Sequence, residues 1–257
     1  MSNRMPSLFV SHGNPMLALD EQNGKDYRTW GEQLPKPKAI LVFSAHWEEE
    51  GLVFGETINH NQLVYDFFGF PEPLSQVQYP APGAPSLMDQ VNKLLNENIQ
   101  QSQRGLDHGV WVPLLHMWPQ ADIPILQMSL PTSYSNEELL ELGKTLAPLR
   151  EQGIMIIGAG TLTHNLREGL SGKYSTPPNW VTEFDQWVAN ALLTSREDLV
   201  NWEQAPHAKI NHPSKEHFLP LLITADASSP EDNITFPITG YDMQVFSKLS
   251  VQFSYLD

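Results

Sequence analysis

The residues with the clearest chemical potential are histidines, of which the chain has nine. His12, His46 and His164 each follow an apolar, β-branched run, and His108 directly precedes an apolar segment with helical character. Neutral imidazole is the commonest metal ligand in proteins, although any one of these residues, taken alone, is better explained as a structural histidine. Their joint position at the ends of predicted strands favours a metal site.

A further candidate ligand lies in the segment from His212 to Pro220. Pro213 predicts the start of a helix, which would place Glu216 and His217 in its first turn. Either side chain could complete a site of two histidines and one further ligand. The alternative is a plain helix N-terminus at which the helix dipole favours Glu216. The other histidines lack comparable context and are interpreted as surface or packing residues: His60, His116 and His207.

The elements that must position these side chains alternate along the chain. Short apolar runs predict strands at Ser7–Val10, Ala39–Ser44, Ile123–Ser129, Ile154–Ala159 and Met243–Phe253. Helical spacing predicts helices at Ala84–Ile99, Asn136–Glu151 and Trp180–Leu193. This alternation indicates a single α/β domain with a central, mostly parallel sheet flanked by helices. Because ligands collect outside the carboxyl ends of such strands, we expect the metal site there.

Aromatic residues near these positions could form the wall of a substrate pocket. Trp47, Phe67 and Phe68 could supply a flat apolar surface, whereas Trp111 is better explained as a core residue. Phe67 and Phe68 belong to a long segment, Asn59–Gly83, that is rich in Pro, Gly and aromatic residues. Long loops of this kind are usually functional, and the alternative is a surface insertion packed by its own aromatics.

Composition excludes several other kinds of site and partner. The chain has 257 residues, no cysteine and a formal charge of −15, so thiolate chemistry and iron–sulfur clusters are excluded and any metal must bind through His, Asp or Glu. The negative charge disfavours nucleic acid and anionic membrane partners. The N-terminus has too short an apolar run for a secretory signal, and no window approaches a membrane span, so we expect a cytoplasmic protein. A homo-oligomer is compatible with the sequence, although no surface pattern indicates one.

Seven motifs, in order along the chain, resemble those of the class III extradiol ring-cleavage dioxygenases, in the branch that contains the 4,5-DOPA dioxygenases. They are Leu8-Phe-Val-Ser-His-Gly-Asn-Pro, Ser44-Ala-His-Trp, Tyr65-Asp-Phe-Phe-Gly-Phe-Pro, Tyr79-Pro-Ala-Pro-Gly, Gly105-Leu-Asp-His-Gly-Val-Trp, Thr163-His-Asn-Leu and Glu216-His-Phe-Leu-Pro-Leu. The resemblance implies one catalytic α/β domain spanning residues 1–257. It also implies opening of a catechol ring, such as that of L-DOPA, with molecular oxygen. One departure is Ser75, which stands where relatives usually have tyrosine.

For the site, the resemblance implies one divalent metal, Zn²⁺ or Fe²⁺, at His12 and His46, with His164 and His217 also metal-associated. More distant relatives use a carboxylate as third ligand, which keeps Glu216 as an alternative. His108 and His164 are the candidate acid/base groups, since imidazole titrates near neutral pH. Asp107 is a candidate either to orient one of these imidazoles or to cap a helix. Two other functions remain open from the residues alone: a zinc-dependent hydrolase and a non-catalytic metal-binding relative.

Overall fold

The centre of the molecule is an eight-stranded sheet, as described for residues 4–255 by a computed structural model. The strands of the chain are β1 (Ser7–Ser11), β2 (Ala39–Glu49), β3 (Val53–Phe54), β4 (Gln100–Gln101), β5 (Ile125–Pro131), β6 (Ile154–Gly160), β7 (Asn233–Thr235), β8 (Tyr241–Asp242), β9 (Phe246–Ser247) and β10 (Val251–Ser254). The sheet order is β4-β3-β5-β2-β6-β1-β10-β7, and β8 pairs with β9 in a separate hairpin. The four central strands, β5, β2, β6 and β1, are parallel.

Helices cover both faces of the sheet. They are α1 (Glu21–Gln33), α2 (Pro85–Leu95), α3 (His108–Met117), α4 (Asn136–Leu146), α5 (Pro148–Glu151), α6 (Leu166–Gly169), α7 (Asn179–Thr194), α8 (Ala208–Asn211) and α9 (Leu219–Asp226), with 3₁₀ segments at Pro15–Leu19, Glu72–Gln76 and Arg196–Gln204. One apolar core lies between the sheet and α1 and α3, and a second lies between the sheet and α2, α4, α7 and α9. The predicted α/β domain with a mostly parallel sheet is confirmed.

Both cores follow from the strand sequences. Successive side chains of a strand point to opposite faces of the sheet. Leu8 and Val10 therefore join the core under α1 and α3, while Phe9 between them joins the other core. Every residue of β1 and β6 is buried, which is why these strands read as continuous rather than alternating apolar runs.

Two of the predicted elements are divided in the structure. The predicted helix Asn136–Glu151 breaks between α4 and α5, because Pro148 cannot donate the backbone hydrogen bond that continues a helix. The predicted strand Met243–Phe253 is wrong as one element. Met243 and Gln244 have positive φ angles of 48° and 63° and turn the chain between β8 and β9, and only β10 joins the sheet.

The expected helix at Pro213 is also wrong. Residues 213–218 form turns, and α9 begins only at Leu219, so Glu216 and His217 precede the helix. The Asn59–Gly83 loop is ordered, with an isolated bridge between Asn59 and Pro82 and a short 3₁₀ segment. In the part of the chain that the structure describes, no helix has the length and apolar character needed to cross a membrane.

Candidate metal centre

Strand register brings the predicted histidines to one edge of the sheet. Ser11 of β1 pairs with Gly160 of β6, and Ser44 of β2 pairs with Ala159. His12 and His46 therefore project near the carboxyl ends of β1 and β2, the two parallel strands on either side of β6. His217 reaches the same edge because its carbonyl accepts a hydrogen bond from Thr161 N at 3.0 Å.

Close approach of the His217 segment requires glycine at the end of β6. A Cβ atom at Gly160 would collide with the His217 carbonyl oxygen. We therefore infer that Gly160 is needed for packing against His217 rather than for an unusual backbone conformation.

His12, His46 and His217 form a compact triad. One ring nitrogen of each lies within 4.8 Å of the others, and the Nε2 atoms of His12 and His46 are 3.3 Å apart. His12 and His217 are buried and His46 is half-buried. This is the arrangement expected of ligands around one ion.

Each imidazole of the triad has an oxygen atom near Nδ1. The His12 Nδ1 lies 2.7 Å from the Gly13 carbonyl, the His46 Nδ1 lies 3.4 Å from Asp66 Oδ2, and the His217 Nδ1 lies 3.0 Å from Glu216 Oε1. An oxygen acceptor at Nδ1 favours the tautomer with the proton there, which leaves the Nε2 lone pair free for a metal.

These contacts fit a cation rather than a simple hydrogen-bond network. With both Nδ1 atoms protonated, the Nε2 lone pairs of His12 and His46 would face each other across 3.3 Å. The His217 Nε2 is buried and has no hydrogen-bond partner among the described residues. A buried, unpaired polar atom is unfavourable, and a metal bound by the three Nε2 atoms would satisfy all of them.

Electrostatics keep the cluster neutral and able to bind a metal. Burial, followed by repulsion from neighbouring imidazoles, lowers the pKa of His46 to about 3 and that of His164 to about 4. The same causes place the pKa values of His12 and His217 well below the ordinary value. Only the neutral imidazole coordinates a metal, so the site is prepared for one at neutral pH.

The two candidate acid/base histidines flank the triad. The His164 ring stacks on His217, with ring centroids 3.4 Å apart, and the His108 ring lies 4.0 Å from that of His46. His164 also belongs to a second group of possible ligands, with Glu216 and His217. All five histidines predicted from the sequence to form the site therefore lie together.

The predicted pocket aromatics are placed differently from one another. Phe67 packs edge-on against His108, with centroids 5.8 Å apart. Phe68 is 94% exposed. Trp47 is buried and donates a hydrogen bond to Glu49 at 3.0 Å, with the Arg104 guanidinium over its ring. Trp111 is fully buried, as its assignment to the core predicts.

Asp107 takes neither of the two roles considered for it. Its carboxylate precedes α3 but makes no capping hydrogen bond. Instead it accepts hydrogen bonds from Ser44 Oγ at 2.7 Å and from the Gln127 amide, and burial raises its pKa. It thus connects β2, β5 and α3 beneath the histidines.

Asp66 is the site residue that the sequence interpretation missed. Its Oδ1 lies 2.8 Å from His108 Nδ1, and its Oδ2 lies 3.4 Å from His46 Nδ1. Burial raises its pKa, but the hydrogen bond and charge of His108 outweigh burial, so the pKa lies below its ordinary value. The available signal was its place between Tyr65 and Phe67 in one of the seven motifs.

The β8–β9 hairpin closes the His164 side of the site. The Phe246 ring lies 5.6 Å from that of His164. Thr163 fixes the hairpin, since its hydroxyl donates to the Val245 carbonyl at 2.6 Å and accepts from Ser247 N at 2.7 Å.

A buried carboxylate supports this hairpin from α7. Asp185 accepts hydrogen bonds from Ser247 Oγ at 2.6 Å and from the Tyr241 hydroxyl at 3.1 Å. Burial raises the pKa of Asp185 to about 6, and these two hydrogen bonds oppose the rise. The hairpin position therefore depends on an acid that titrates in a biologically accessible range.

Comparison with known proteins agrees with this architecture. Residues 6–250 match the family model described as the catalytic LigB subunit of aromatic ring-opening dioxygenase. The chain belongs to this family of ring-opening dioxygenases, and the resemblance seen in its sequence motifs is confirmed.

Its similar relatives cover nearly the whole chain. A protein of Escherichia coli K12 named 4,5-DOPA dioxygenase extradiol is 37% identical over 98% of this chain and 95% of its own length. A protein of Beta vulgaris with the same name is also 37% identical, over 98% of this chain and 97% of its own length. The crystal structure of an uncharacterized Escherichia coli K12 protein superposes with a TM-score of 0.84 at 35% identity, covering 97% of this chain and 99% of that one.

Proposed function

We propose that this chain, as one catalytic domain, is a metal-dependent extradiol dioxygenase that opens the ring of a catechol such as L-DOPA with molecular oxygen. One carbon–carbon bond beside the hydroxyl-bearing carbons breaks, and both atoms of O₂ enter the product, so no further oxidant is required. The observation that carries the proposal is the convergence of one ring nitrogen from each of three histidines, each of which also has an oxygen atom near Nδ1.

In this proposal His12, His46 and His217 hold one divalent metal through Nε2. A bound divalent metal would acidify the catechol hydroxyls. A set of three protein ligands would leave the ion accessible to substrate. Glu216, considered as an alternative ligand, instead accepts the His217 Nδ1 proton through Oε1 at 3.0 Å. We therefore assign Glu216 to orienting His217.

His108 and His164 are proposed to move the protons. The His108 ring lies 5.4 Å from that of His12 and the His164 ring stacks on His217, so each is placed beside a proposed metal ligand. His164 is neutral at pH 7, since its pKa is lowered to about 4, and can accept a proton. Phe67 supplies an apolar edge next to His108 against which a flat ring can pack.

The substrate class rests on the relatives. L-DOPA is the first catechol to test, because relatives with 37% identity are named 4,5-DOPA dioxygenase extradiol. Ser75 lies on the exposed surface of the Asn59–Gly83 loop, where its hydroxyl donates to the Glu72 carbonyl at 2.8 Å.

The test is metal reconstitution followed by product detection. Apoprotein is incubated with Fe²⁺ without oxygen, or with Zn²⁺, then mixed with L-DOPA or simple catechol. A yellow ring-opened product that depends on one metal supports the proposal and identifies the active ion. The exposed residue His207 provides a control: His207→Ala keeps activity, whereas His12→Ala loses both metal and product. Full activity in metal-free protein would contradict the proposal.

A further inference from the structure

One carboxylate contacts histidines with two different proposed roles. Asp66 Oδ2 lies 3.4 Å from Nδ1 of His46, a proposed metal ligand. Its Oδ1 lies 2.8 Å from Nδ1 of His108, a proposed proton carrier, and 3.2 Å from the His108 backbone N–H. The two imidazole rings are themselves only 4.0 Å apart. The Asp66 side chain thus contacts both a proposed metal ligand and a proposed proton carrier.

The backbone around Asp66 is held firmly, although it belongs to a long loop. Val64 N donates to the Leu106 carbonyl at 2.8 Å, and the Trp111 indole donates to the Val64 carbonyl at 3.3 Å. The rings of Tyr65 and Phe67 both pack against Trp111, which is fully buried. These contacts connect the loop to α3, the helix that begins at His108. The carboxylate therefore has a fixed position relative to both imidazoles.

We propose that Asp66 is a positioning residue that orients His46 for metal binding and His108 for proton transfer at the same time, one carboxylate oxygen serving each ring. The proposal rests on the function assigned above, in which His46 binds the metal and His108 moves a proton. Carboxylates that accept the second N–H of a metal-binding histidine fix its tautomer and its orientation. Here the same group also fixes the tautomer of a neighbouring acid/base residue.

Both oxygens must be acceptors for this arrangement to work. Oδ2 lies 3.4 Å from His46 Nδ1, and this oxygen favours the tautomer with the proton on Nδ1, in which the Nε2 lone pair faces the His12 Nε2 across the site. The Nδ1 proton of His108 is held by Oδ1, so Nε2 is the nitrogen left to exchange a proton with substrate. Asparagine has nearly the same shape but only one acceptor atom. Its NH₂ group would oppose the N–H of one of the two imidazoles.

The central experiment is a double-mutant cycle with Asp66→Asn and His108→Ala, read out in two ways. The first readout is the dissociation constant for Zn²⁺, measured by competition with a chromophoric chelator. We expect Asp66→Asn to weaken binding by about 10- to 100-fold, both alone and combined with His108→Ala. His108→Ala alone should leave the dissociation constant close to that of the wild type. A weakening that appears only when His108 is present would contradict the proposal.

The second readout is kcat with L-DOPA at saturating active metal. His108→Ala should lower kcat by about 10²- to 10⁴-fold, as expected for loss of a general acid or base. Asp66→Asn should lower kcat in the wild-type background and cause no further loss when His108 is already alanine. Equal losses in both backgrounds would show that Asp66 acts independently of His108, which would overturn the proposal.

Controls separate positioning from simple stabilisation. Asp89→Asn, on the exposed surface of α2, should match the wild type in both readouts. If Asp66→Asn does not fold, Asp66→Glu keeps both acceptor oxygens on a longer side chain. The longer variant should bind Zn²⁺ more weakly than the wild type because the oxygens are displaced; unchanged affinity would refute the need for this geometry.

The two readouts also separate this inference from the proposed function. Zn²⁺ affinity needs no substrate, so it tests the link from Asp66 to His46 even if the protein opens no catechol ring. One outcome is that Asp66→Asn lowers Zn²⁺ affinity tenfold or more in a protein that opens no catechol ring. That result would overturn the proposed function and the role of Asp66 toward His108, but not its role toward His46. Two Zn²⁺ ions per wild-type chain would contradict the inference, since Asp66, His46 and His108 could then be ligands of a second ion.

Discussion

The hairpin beside His164 should make the stability of this protein depend on pH through Asp185. The pKa of Asp185 is raised to about 6 by burial, from an ordinary value of 3.8. The folded state therefore holds this proton more tightly than the unfolded state. Ionisation in the folded protein is unfavourable, so the group reduces stability as pH rises from about 4 through 6. The difference between the two pKa values corresponds to a loss of about 3 kcal/mol in the free energy of unfolding above pH 7.

Asp185→Asn removes this titration while keeping the size of the side chain and an acceptor for Ser247 or Tyr241. We expect the free energy of unfolding of the variant, minus that of the wild type, to rise by about 2.5 kcal/mol between pH 4 and pH 7.5. Urea unfolding followed by circular dichroism at several pH values measures this difference. A constant offset from altered hydrogen bonding cancels, because only the change with pH is compared.

Parallel stability curves for wild type and Asp185→Asn would refute the reasoning. They would mean that Asp185 is no harder to ionise in the folded protein than in the unfolded chain. The exposed variant Asp89→Asn provides the control for removing a carboxylate. Loss of Asp185 ionisation should also leave metal stoichiometry unchanged, since its carboxylate contacts Ser247 and Tyr241 rather than an imidazole.

Three further predictions concern the metal, the core and the pocket. Zn²⁺ at a hundredfold excess over its dissociation constant should stabilise the apoprotein by about 2.7 kcal/mol, raising Tm by about 5 to 11 °C in a thermal melt; a full shift in His46→Ala would exclude His46 as a ligand. Arg150→Met should lower the free energy of unfolding by about 3 to 5 kcal/mol, because it leaves the fully buried Asp232 without its partner; denaturant unfolding checks this, and a loss under 1 kcal/mol contradicts it. Phe67→Ala should lower kcat/KM for catechols by about 2- to 10-fold through loss of an aromatic contact. The same change at the exposed Phe68 should have little effect. Equal effects of the two changes would show that Phe67 does not contact the substrate.

Much of the fold could be predicted because strand burial and helix caps are local properties. The runs at Ser7–Val10 and Ile154–Ala159 became β1 and β6 with at most one residue added. The capping box of Ser135 and Glu138 is present at the start of α4, with both of its hydrogen bonds. The convergence of His12, His46 and His164 followed from a general property of parallel sheets, since His12 follows β1, His164 follows β6 and His46 lies toward the carboxyl end of β2.

What could not be predicted depends on contacts between distant segments. Asp66 is separated from His46 and His108 by 20 and 42 residues, and only the packing of Tyr65 and Phe67 on Trp111 brings it to them. Adjacency to His108 in the sequence instead favours Asp107 as the orienting carboxylate. In the structure the chain turns Asp107 toward Ser44. Adjacency in sequence was thus a poor guide to which carboxylate orients the imidazole.

The β8–β9 hairpin escaped prediction for a related reason. Its strands have two residues each, too short for an alternating pattern, and the turn uses Met243 and Gln244 in left-handed conformations that the sequence does not signal. Hydrogen bonds to Thr163 and Asp185 hold it in place. Tertiary contacts rather than local propensity therefore determine this side of the site.

Oxygen uptake measured together with substrate loss is the most direct test of the central claim. Protein reconstituted with Fe²⁺ or Zn²⁺ is given L-DOPA in an oxygen-electrode cell, and the catechol is quantified at intervals. We expect one O₂ to be consumed per catechol lost, a yellow product to form, and His46→Ala to show no oxygen uptake. A tightly bound metal with no oxygen uptake on any catechol would contradict it.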